Sequence, residues 1–274
     1  MSSNSRESRD GERTESTART VRLKSRQAMR ASGFALVTAS MLPAFLARMS
    51  VTPAEERPSV RDRWVKRWAN ALLALFDIHV VVDGALPPPP RGRGRLIVAN
   101  HRSAIDIGVL LSTFGGTMVS RADIAGWPVI GAAARAAGTV FVDRSNAKSG
   151  AATLRSITKH LEDGMTIALF PEGTTFDGDE VRTFHGGAFV AAARAGAEIL
   201  PVGLAYPRTS GAAFVGESFP EHLARMARSD STRMVLAVGA PFTPTKDTRA
   251  AAITGRAHDE VSTLVSRART RCGP

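Results

Sequence analysis

The stretch that decides the fold of this chain is Leu-Ile-Val-Ala-Asn-His-Arg-Ser-Ala-Ile-Asp, residues 96–106. Its first four residues form a short apolar run that is typical of a buried strand, and a helical spacing of apolar residues begins at Ile105. The stretch therefore predicts a turn from a strand into a helix. Open α/β sheets keep their ligand sites at such turns, beyond the carboxyl ends of the strands.

His101 and Asp106 lie five residues apart in this turn. A neutral imidazole can accept a proton on one ring nitrogen while a carboxylate holds the other, so the pair suits general base catalysis. A plainer interpretation stays open. Ser103 and Asp106 also fit a capping box with Ser103 as the N-cap, and a single histidine is more often a surface residue. The motifs further along the chain decide between the two.

The length, cysteine count and net charge limit which classes of protein are possible. A chain of 274 residues with 43% hydrophobic residues can bury a full core and is long enough for one domain with an extension or for two small domains. Cys272 is the single cysteine, so we predict no disulfide framework and no thiol-based metal site. As a separate expectation, the protein needs no metal ion and no cofactor. A formal net charge of +11 favours an anionic partner, which can be nucleic acid, an acidic membrane surface or a phosphorylated substrate.

The first 77 residues are predicted to form a basic tail at 1–30 and a membrane-associated helical segment at 31–77. Residues 1–30 are rich in Ser, Thr, Arg and Glu and nearly lack large apolar side chains, so we expect disorder. Residues 31–47 are uncharged, but they are short for a span and have arginines on both flanks. These features favour an interfacial or re-entrant helix, with a core helix and a tilted span as alternatives.

Residues 59–76 show a clear amphipathic period. Apolar residues recur at every fourth position, namely Trp64, Trp68, Leu72 and Phe76. Tryptophans on the apolar side and bases on the polar side suit a helix in the headgroup region of a bilayer. A soluble amphipathic helix has the same period and remains the alternative.

From residue 78 onward, strand and helix patterns alternate to the end of the chain. Strands are predicted at residues 78–82, 96–99, 117–120, 139–142, 165–170, 199–205 and 234–238. Helices are predicted at residues 105–114, 129–136, 151–161, 188–195, 221–227 and 250–269. Alternating elements of this length indicate one α/β domain over residues 78–274, a three-layer sandwich with a largely parallel sheet.

Polar residues follow several of the predicted strands. Asp143 and Arg144 end one of them, Pro-Glu-Gly-Thr-Thr at 171–175 follows the next, and Tyr-Pro-Arg at 206–208 follows another. Because the carboxyl ends of parallel strands meet at one edge of a sheet, we expect these groups to share a crevice with His101. An arginine fork can bind a phosphate with two hydrogen bonds, and the 171–175 turn offers backbone N–H groups to an anion.

Four ordered motifs resemble those of the glycerolipid acyltransferase family, whose best-known members are the 1-acylglycerol-3-phosphate acyltransferases. They are Asn-His-x4-Asp at 100–106, Gly-Thr-Val-Phe-Val-Asp-Arg at 138–144, Phe-Pro-Glu-Gly-Thr at 170–174 and Leu-Pro-Val-Gly at 200–203. Two further stretches, at 121–131 and 184–189, are also similar to family sequences. The resemblance covers residues 80–206.

The resemblance implies a role for each matching residue. His101 is the expected base that deprotonates the acceptor hydroxyl, and Asp106 is expected to orient it. The hydroxyl then attacks an acyl thioester, either acyl-CoA or acyl carrier protein, without a covalent acyl-enzyme; the sequence has no Gly-x-Ser-x-Gly elbow. The phosphate-bearing head of the acceptor is expected to contact Arg144, Glu172, Gly173 and Thr174. Arg121, where the family usually has a lysine, is expected to assist at the phosphate or the thioester oxygen.

One position departs from the family pattern. The third motif commonly continues Gly-Thr-Arg, whereas this chain has Thr175 followed by Phe-Asp-Gly. The arginine that is missing would face a phosphate monoester. Lysophosphatidate, in phospholipid synthesis, is therefore only narrowly the first choice of acceptor, ahead of another lysophospholipid or a lyso-amino-lipid such as lyso-ornithine lipid.

Two other classes of protein agree less well with the sequence. A nucleic-acid-binding protein would interleave aromatic and basic residues across a surface, whereas most aromatics here lie within apolar runs, so we expect no nucleic-acid partner. A non-catalytic membrane-binding module would be expected to lose His101 or Asp106, and both are present. We therefore predict an acyltransferase with a lysolipid acceptor, held peripherally or interfacially on the cytoplasmic face of the cell membrane.

Overall fold

Seven strands form one central sheet in the computed structural model of the chain, which describes residues 4–90, 92–127, 129–143 and 147–273. They are β1 (Ile78–Asp83), β2 (Arg95–Ala99), β3 (Thr117–Arg121), β4 (Val140–Val142), β5 (Thr166–Leu169), β6 (Glu198–Ala205) and β7 (Thr232–Val238). Their order across the sheet is β1-β7-β6-β2-β5-β3-β4. The five strands from β6 to β4 run parallel, whereas β7 is antiparallel to β6 and parallel to β1. The predicted strands and the largely parallel sheet are confirmed.

Helices cover both faces of this sheet. The helices in the described residues are α1 (Asn4–Ser50), α2 (Arg57–Leu75), α3 (Ile105–Phe114), α4 (Ile130–Ala136), α5 (Ala147–Glu162), α6 (Gly187–Arg194), α7 (Phe219–Arg228) and α8 (Ala250–Cys272). One apolar core joins the sheet to α2, α3 and α7, and a second core joins the opposite face to α5, α6 and α8. The predicted three-layer sandwich is therefore confirmed.

The central strand β2 explains the apolar run in the deciding stretch of sequence. All five of its residues are buried. Ile97 and Ala99 contribute to one core, and Leu96 and Val98 contribute to the other. A parallel strand that is covered on both faces has a continuous run of apolar residues, whereas a strand covered on one face alternates apolar and polar residues. Because β2 lies between β5 and β6, the turn that follows it occupies the middle of the sheet edge.

The glycine of the fourth motif has a packing role. Gly203 lies in β6, where α8 crosses the sheet, and a Cβ atom placed on it would come within 2.3 Å of the backbone carbonyl carbon of Leu264. A methyl group at this position would push α8 away from the strand. The absence of a side chain thus brings α8 close to β6 and helps to hold the strand end that borders the turn after β2.

Helix α1 corrects the prediction of a disordered tail. Residues 4–50 form one continuous helix, so the described part of residues 1–30 is helical. Two arginines near the end of this segment bind at the C-terminal end of α7. Arg30 Nη1 lies 2.7 Å from the carbonyl oxygen of Ser229, and Arg26 forms an ion pair with Asp230. Cations at a helix C-terminus satisfy unpaired carbonyls and the helix dipole, a contact that local composition does not reveal.

The amphipathic helix α2 packs on α1 with the side that was predicted to face lipid. Trp68 Nε1 donates a hydrogen bond of 3.1 Å to Thr38 Oγ1, and the rings of Trp64 and Phe45 lie 5.9 Å apart. Part of the apolar side of α2 is therefore engaged with α1. In the described part of the chain, Thr17–Ser50 is the one helix that is long and apolar enough to cross a membrane, and its Leu36 side chain is 70% exposed.

Candidate active site

The Asp106 carboxylate holds the turn after β2 together. Its Oδ2 atom accepts the backbone N–H groups of Arg102 at 2.7 Å and Ser103 at 2.8 Å. The same oxygen lies 2.9 Å from His101 Nδ1, and Oδ1 accepts the hydroxyl of Tyr206. Four donors around one fully buried carboxylate indicate that it is ionised. The hydrogen-bond network therefore places a proton on His101 Nδ1, and in the neutral ring the lone pair is then on Nε2.

The capping-box interpretation of this turn is half right. The Asp106 side chain does reach back to the Ser103 N–H, but Asp106 N bonds to the Ser103 carbonyl oxygen and not to its hydroxyl. The N-cap of α3 is Ala104, which offers no side-chain bond. Asp106 consequently fixes the turn and the imidazole at the same time.

The imidazole of His101 is held on its flat face as well as at Nδ1. It stacks on the ring of Phe170 with centroids 3.8 Å apart and planes 4° apart. Its backbone N–H donates to Glu172 Oε1 at 2.7 Å, and its carbonyl oxygen accepts from Phe176 N at 3.2 Å. The imidazole is 16% exposed, so a substrate can reach a ring whose orientation is already set.

Asn100 joins the end of β2 to β6. Its side-chain Nδ2 donates to the carbonyl oxygen of Leu204 at 3.0 Å, and its Oδ1 accepts from Leu204 N at 2.8 Å. The amide thus replaces one rung of the backbone ladder at the point where the chain leaves the sheet. This replacement allows His101 to turn away from β2 without leaving the β6 backbone unpaired.

Glu172, which was predicted to contact the acceptor, is buried and surrounded by protein donors. Arg102 Nη1 lies 3.0 and 3.1 Å from its two oxygens, and Arg182 N donates to it at 2.8 Å in addition to the bond from His101 N. Arg102 also donates to the carbonyl oxygen of Gly178 at 2.6 Å. The pair therefore ties the loop after β5 to the turn that carries His101.

The other predicted residues occupy the same edge of the sheet where the structure describes them. Gly173 has a φ of +85°, a backbone conformation that favours glycine, and Thr174 is exposed. Thr175 Oγ1 donates to the carbonyl oxygen of Phe214. Arg121 ends β3, is 70% exposed and pairs with a neighbouring aspartate at 3.0 Å.

Two further predictions concern Arg144 and the expectation that the protein has no metal site. Arg144 lies outside the described residues. Within the described residues, no group of three or more His, Cys, Asp or Glu side chains is arranged to hold a metal ion.

Tyr206, the single tyrosine of the chain, is predicted from the sequence to lie near His101, but the sequence predicts no role for its hydroxyl. It follows β6 directly, is buried, and donates its hydroxyl to Asp106 Oδ1. Burial and the negative charge of Asp106 raise the pKa of Tyr206 well above its usual range, so the phenol stays protonated and acts as a donor. The available signal was its place at a strand end on the same edge as His101.

Comparison with known proteins assigns the chain to a family. A profile of the family described as Acyltransferase matches residues 80–205. A lyso-ornithine lipid O-acyltransferase from Pseudomonas aeruginosa is 33% identical over 194 residues, which cover 69% of this chain and 73% of that protein. A 1-acyl-sn-glycerol-3-phosphate acyltransferase from Neisseria meningitidis is 32% identical over 149 residues, which cover 54% of this chain and 58% of that protein.

A solved structure has the same fold. The crystal structure of the 1-acyl-sn-glycerophosphate acyltransferase PlsC from Thermotoga maritima matches with a TM-score of 0.70 and 19% identity, over 89% of this chain and 97% of that one. The family profile and the Pseudomonas aeruginosa relative together define an acyltransferase, and the solved structure shows that the fold is shared. The chain belongs to the glycerolipid acyltransferase family, as its four ordered motifs predicted.

The contact between Tyr206 and Asp106 gives a first testable prediction. Tyr206→Phe removes one of four donors to a buried carboxylate while keeping the ring. We expect the free energy of unfolding to fall by about 1.5–3 kcal/mol, the usual range for a hydrogen bond to a charged group. Urea unfolding measures this loss. Ser112→Ala is the matched control, since it removes a hydroxyl that bonds only to the Val109 carbonyl on α3. Equal stability losses in the two variants would contradict the role given to Tyr206.

Proposed function

We propose that this enzyme transfers a fatty acyl group from an acyl thioester to the free hydroxyl of a lysolipid, with His101 as the general base. The single observation that supports this most is the orientation of the imidazole. Asp106 holds Nδ1–H, and Nε2 has no hydrogen-bond partner within the described residues. A neutral imidazole with one nitrogen fixed and the other available is arranged to take a proton.

The proposed reaction is a direct displacement at the thioester carbonyl. His101 Nε2 removes the hydroxyl proton of the lysolipid as its oxygen forms a bond to the carbonyl carbon. The C–S bond then breaks, and the leaving thiolate takes the proton back from the imidazolium. The ionised Asp106 stabilises the positive charge that develops on the ring between these two transfers. Atoms and charges balance without an acyl-enzyme and without a further reactant.

The acceptor we favour is a lysolipid without a phosphate monoester. Around the ends of β2, β3, β5 and β6, the described arginines form ion pairs with carboxylates. The pairs are Arg102–Glu172, Arg121–Asp123 and Arg182–Glu180, and Arg208 and Arg269 share Asp179. A doubly charged phosphate is bound best by arginine forks that have no carboxylate partner. The hydroxyl of Thr175, where the family commonly has an arginine, bonds to the Phe214 carbonyl.

The sequence gives a narrow preference to lysophosphatidate, and these contacts support proposing a different first choice. They favour lyso-ornithine lipid, which is the acceptor in the name of the Pseudomonas aeruginosa relative. Lysophosphatidate is the second candidate, because the Neisseria meningitidis relative is named for it and because Arg144 ends the second motif. The donor is proposed to be acyl-CoA or acyl carrier protein, both of which place the enzyme on the cytoplasmic face of the membrane.

We further propose that α1 lies at the membrane interface and does not cross the bilayer. Met29 and Leu36 are exposed and lie seven residues apart, on one side of α1. The opposite side carries Arg30 and Thr38, which contact α7 and α2. A span would have to break these polar contacts, whereas an interfacial helix keeps them and buries its exposed apolar side in lipid.

Replacement of His101 by alanine tests the assignment of the base. A positioned general base contributes roughly 10²–10⁴-fold, so we expect His101→Ala to lower the rate of acyl transfer by at least the lower figure. The assay uses purified enzyme with a lysolipid and an acyl thioester, and circular dichroism checks the fold. His79→Ala, at an exposed histidine of β1, is the matched control. A folded His101→Ala enzyme that keeps most of the wild-type rate would remove His101 from the mechanism.

The acceptor proposal is tested by competition between lyso-ornithine lipid and lysophosphatidate. We expect the wild-type enzyme to prefer lyso-ornithine lipid with one of the two donors. Thr175→Arg should shift the ratio of kcat/KM values toward lysophosphatidate, because an added fork can meet a phosphate monoester. Thr263→Arg adds the same charge on the exposed side of α8 and should leave the ratio unchanged. A wild-type preference for lysophosphatidate would establish the second candidate instead.

The arrangement of α1 is tested in sealed vesicles that carry the enzyme on their outer face. An interfacial α1 leaves residues 17–30 on the same side as the catalytic domain, so added protease should cut both. High salt should release only part of the protein, because salt screens the basic residues but does not weaken apolar burial, and detergent should release nearly all. Protection of residues 17–30 inside the vesicle would prove a span.

A further inference from the structure

A second histidine–carboxylate pair lies buried behind the catalytic turn. His222 belongs to α7 and is 1% exposed. Its Nε2 atom lies 3.2 Å from Ser103 Oγ, and its Nδ1 atom lies 2.9 Å from Glu217 Oε1. The ring also packs on Phe214, with centroids 4.6 Å apart. Nothing in the proposed reaction uses this pair directly.

The protons of this pair can be placed from its surroundings. A hydrogen bond from Arg225 is the main reason that the pKa of Glu217 is lowered to about 2, so Glu217 is an ionised acceptor. Arg225 Nη2 also lies 3.0 Å from His222 Nδ1, but it donates to Glu217 and to the carbonyl oxygen of Ala213. Nδ1 therefore carries a proton and donates to Glu217. Burial lowers the pKa of His222, which agrees with a neutral ring whose Nε2 accepts the Ser103 hydroxyl.

Ser103 links this pair to the catalytic pair. Its hydroxyl bonds to His222 and accepts from Ile105 N at 3.3 Å, while its backbone N–H donates to Asp106 Oδ2 at 2.8 Å. Ser103 is fully buried, so a lipid substrate cannot reach its hydroxyl. A neighbouring contact reinforces the link, because Phe214 N donates to the Arg102 carbonyl at 2.8 Å. The segment before α7 and α7 itself thus bind the backbone of the turn at two successive residues.

We propose that His222 is a positioning residue for acyl transfer, which fixes Ser103 and thereby the two backbone N–H groups that orient Asp106 and His101. The proposal rests on the proposed function of His101 as the base. Packing alone does not account for this imidazole, since an apolar side chain could fill the same volume without the cost of burying polar nitrogens. Two histidine–carboxylate pairs joined through one serine form a polar network, and such networks fix one geometry when every member has its partner.

The kinetic test combines Ser103→Ala, His222→Leu and the double variant in the full-length chain. We expect each single change to lower kcat by about tenfold or more, the scale on which small misplacements of catalytic groups act. The KM for the lysolipid should stay within about twofold, because neither residue touches the substrate. The double variant should be no slower than the slower single variant, since both changes break one link. His222→Gln should recover part of kcat, because its amide oxygen can accept from Ser103.

The matched control is His160→Leu, a half-buried histidine on α5 that bonds to the Ser156 carbonyl and should keep the wild-type kcat. An unchanged kcat in folded Ser103→Ala would overturn the proposal, even if the variant melts at a lower temperature. Single effects that multiply in the double variant would also overturn it. If His222→Leu does not fold, Ser103→Ala and His222→Gln decide the question.

A second measurement does not depend on activity. The proton on His101 Nδ1, hydrogen-bonded to a buried carboxylate, should give a low-field proton resonance, identified by its loss in His101→Ala. We expect this resonance to move or broaden in Ser103→Ala and to stay in place in His160→Leu. An unchanged resonance in Ser103→Ala would overturn the proposal whatever the kinetics. If the wild-type enzyme acylates no lysolipid, the proposed function fails, and the resonance still decides the role of the Ser103–His222 link.

Discussion

The structure depends on one buried negative charge, the carboxylate of Asp106. An isolated carboxylate away from water costs several kcal/mol, so it persists only where donors surround it. Its donors come from the turn after β2 and from the end of β6, two strands that are adjacent in the sheet. The order of the strands is therefore a requirement of the site. The same carboxylate also accepts a hydrogen bond from the proton-bearing Nδ1 of His101. One side chain therefore both stabilises the turn and orients the imidazole.

A second buried carboxylate, that of Glu172, holds the backbone of His101. Glu172 comes from the end of β5, on the other side of β2, and receives both the backbone N–H of His101 and the guanidinium of Arg102. The imidazole of His101 is thus held from the β6 side through its ring and from the β5 side through its backbone. An arrangement of this kind sets the geometry before the substrate binds, which is the condition under which a general base is effective.

The sequence predicts most of this edge but not the contacts that stabilise it. Apolar runs and helical periods locate all seven strands, and the motifs locate His101 and Asp106, because these signals are local. The partner of Asp106 on β6, Tyr206, lies 100 residues away, and its contact requires the strand order. The error in residues 1–30 has the same cause. Arg30 satisfies carbonyls about 200 residues further along, so composition alone suggested a solvated tail.

The overall charge and the local charge of the site point to different roles. The chain carries a net charge of +11, yet the described arginines near His101 form ion pairs with nearby carboxylates. Long-range attraction to an anionic membrane surface depends on the total charge, whereas recognition of a head group depends on the few groups within hydrogen-bond distance. Attraction of a basic protein to an anionic bilayer and its choice of head group can therefore depend on different sets of charges.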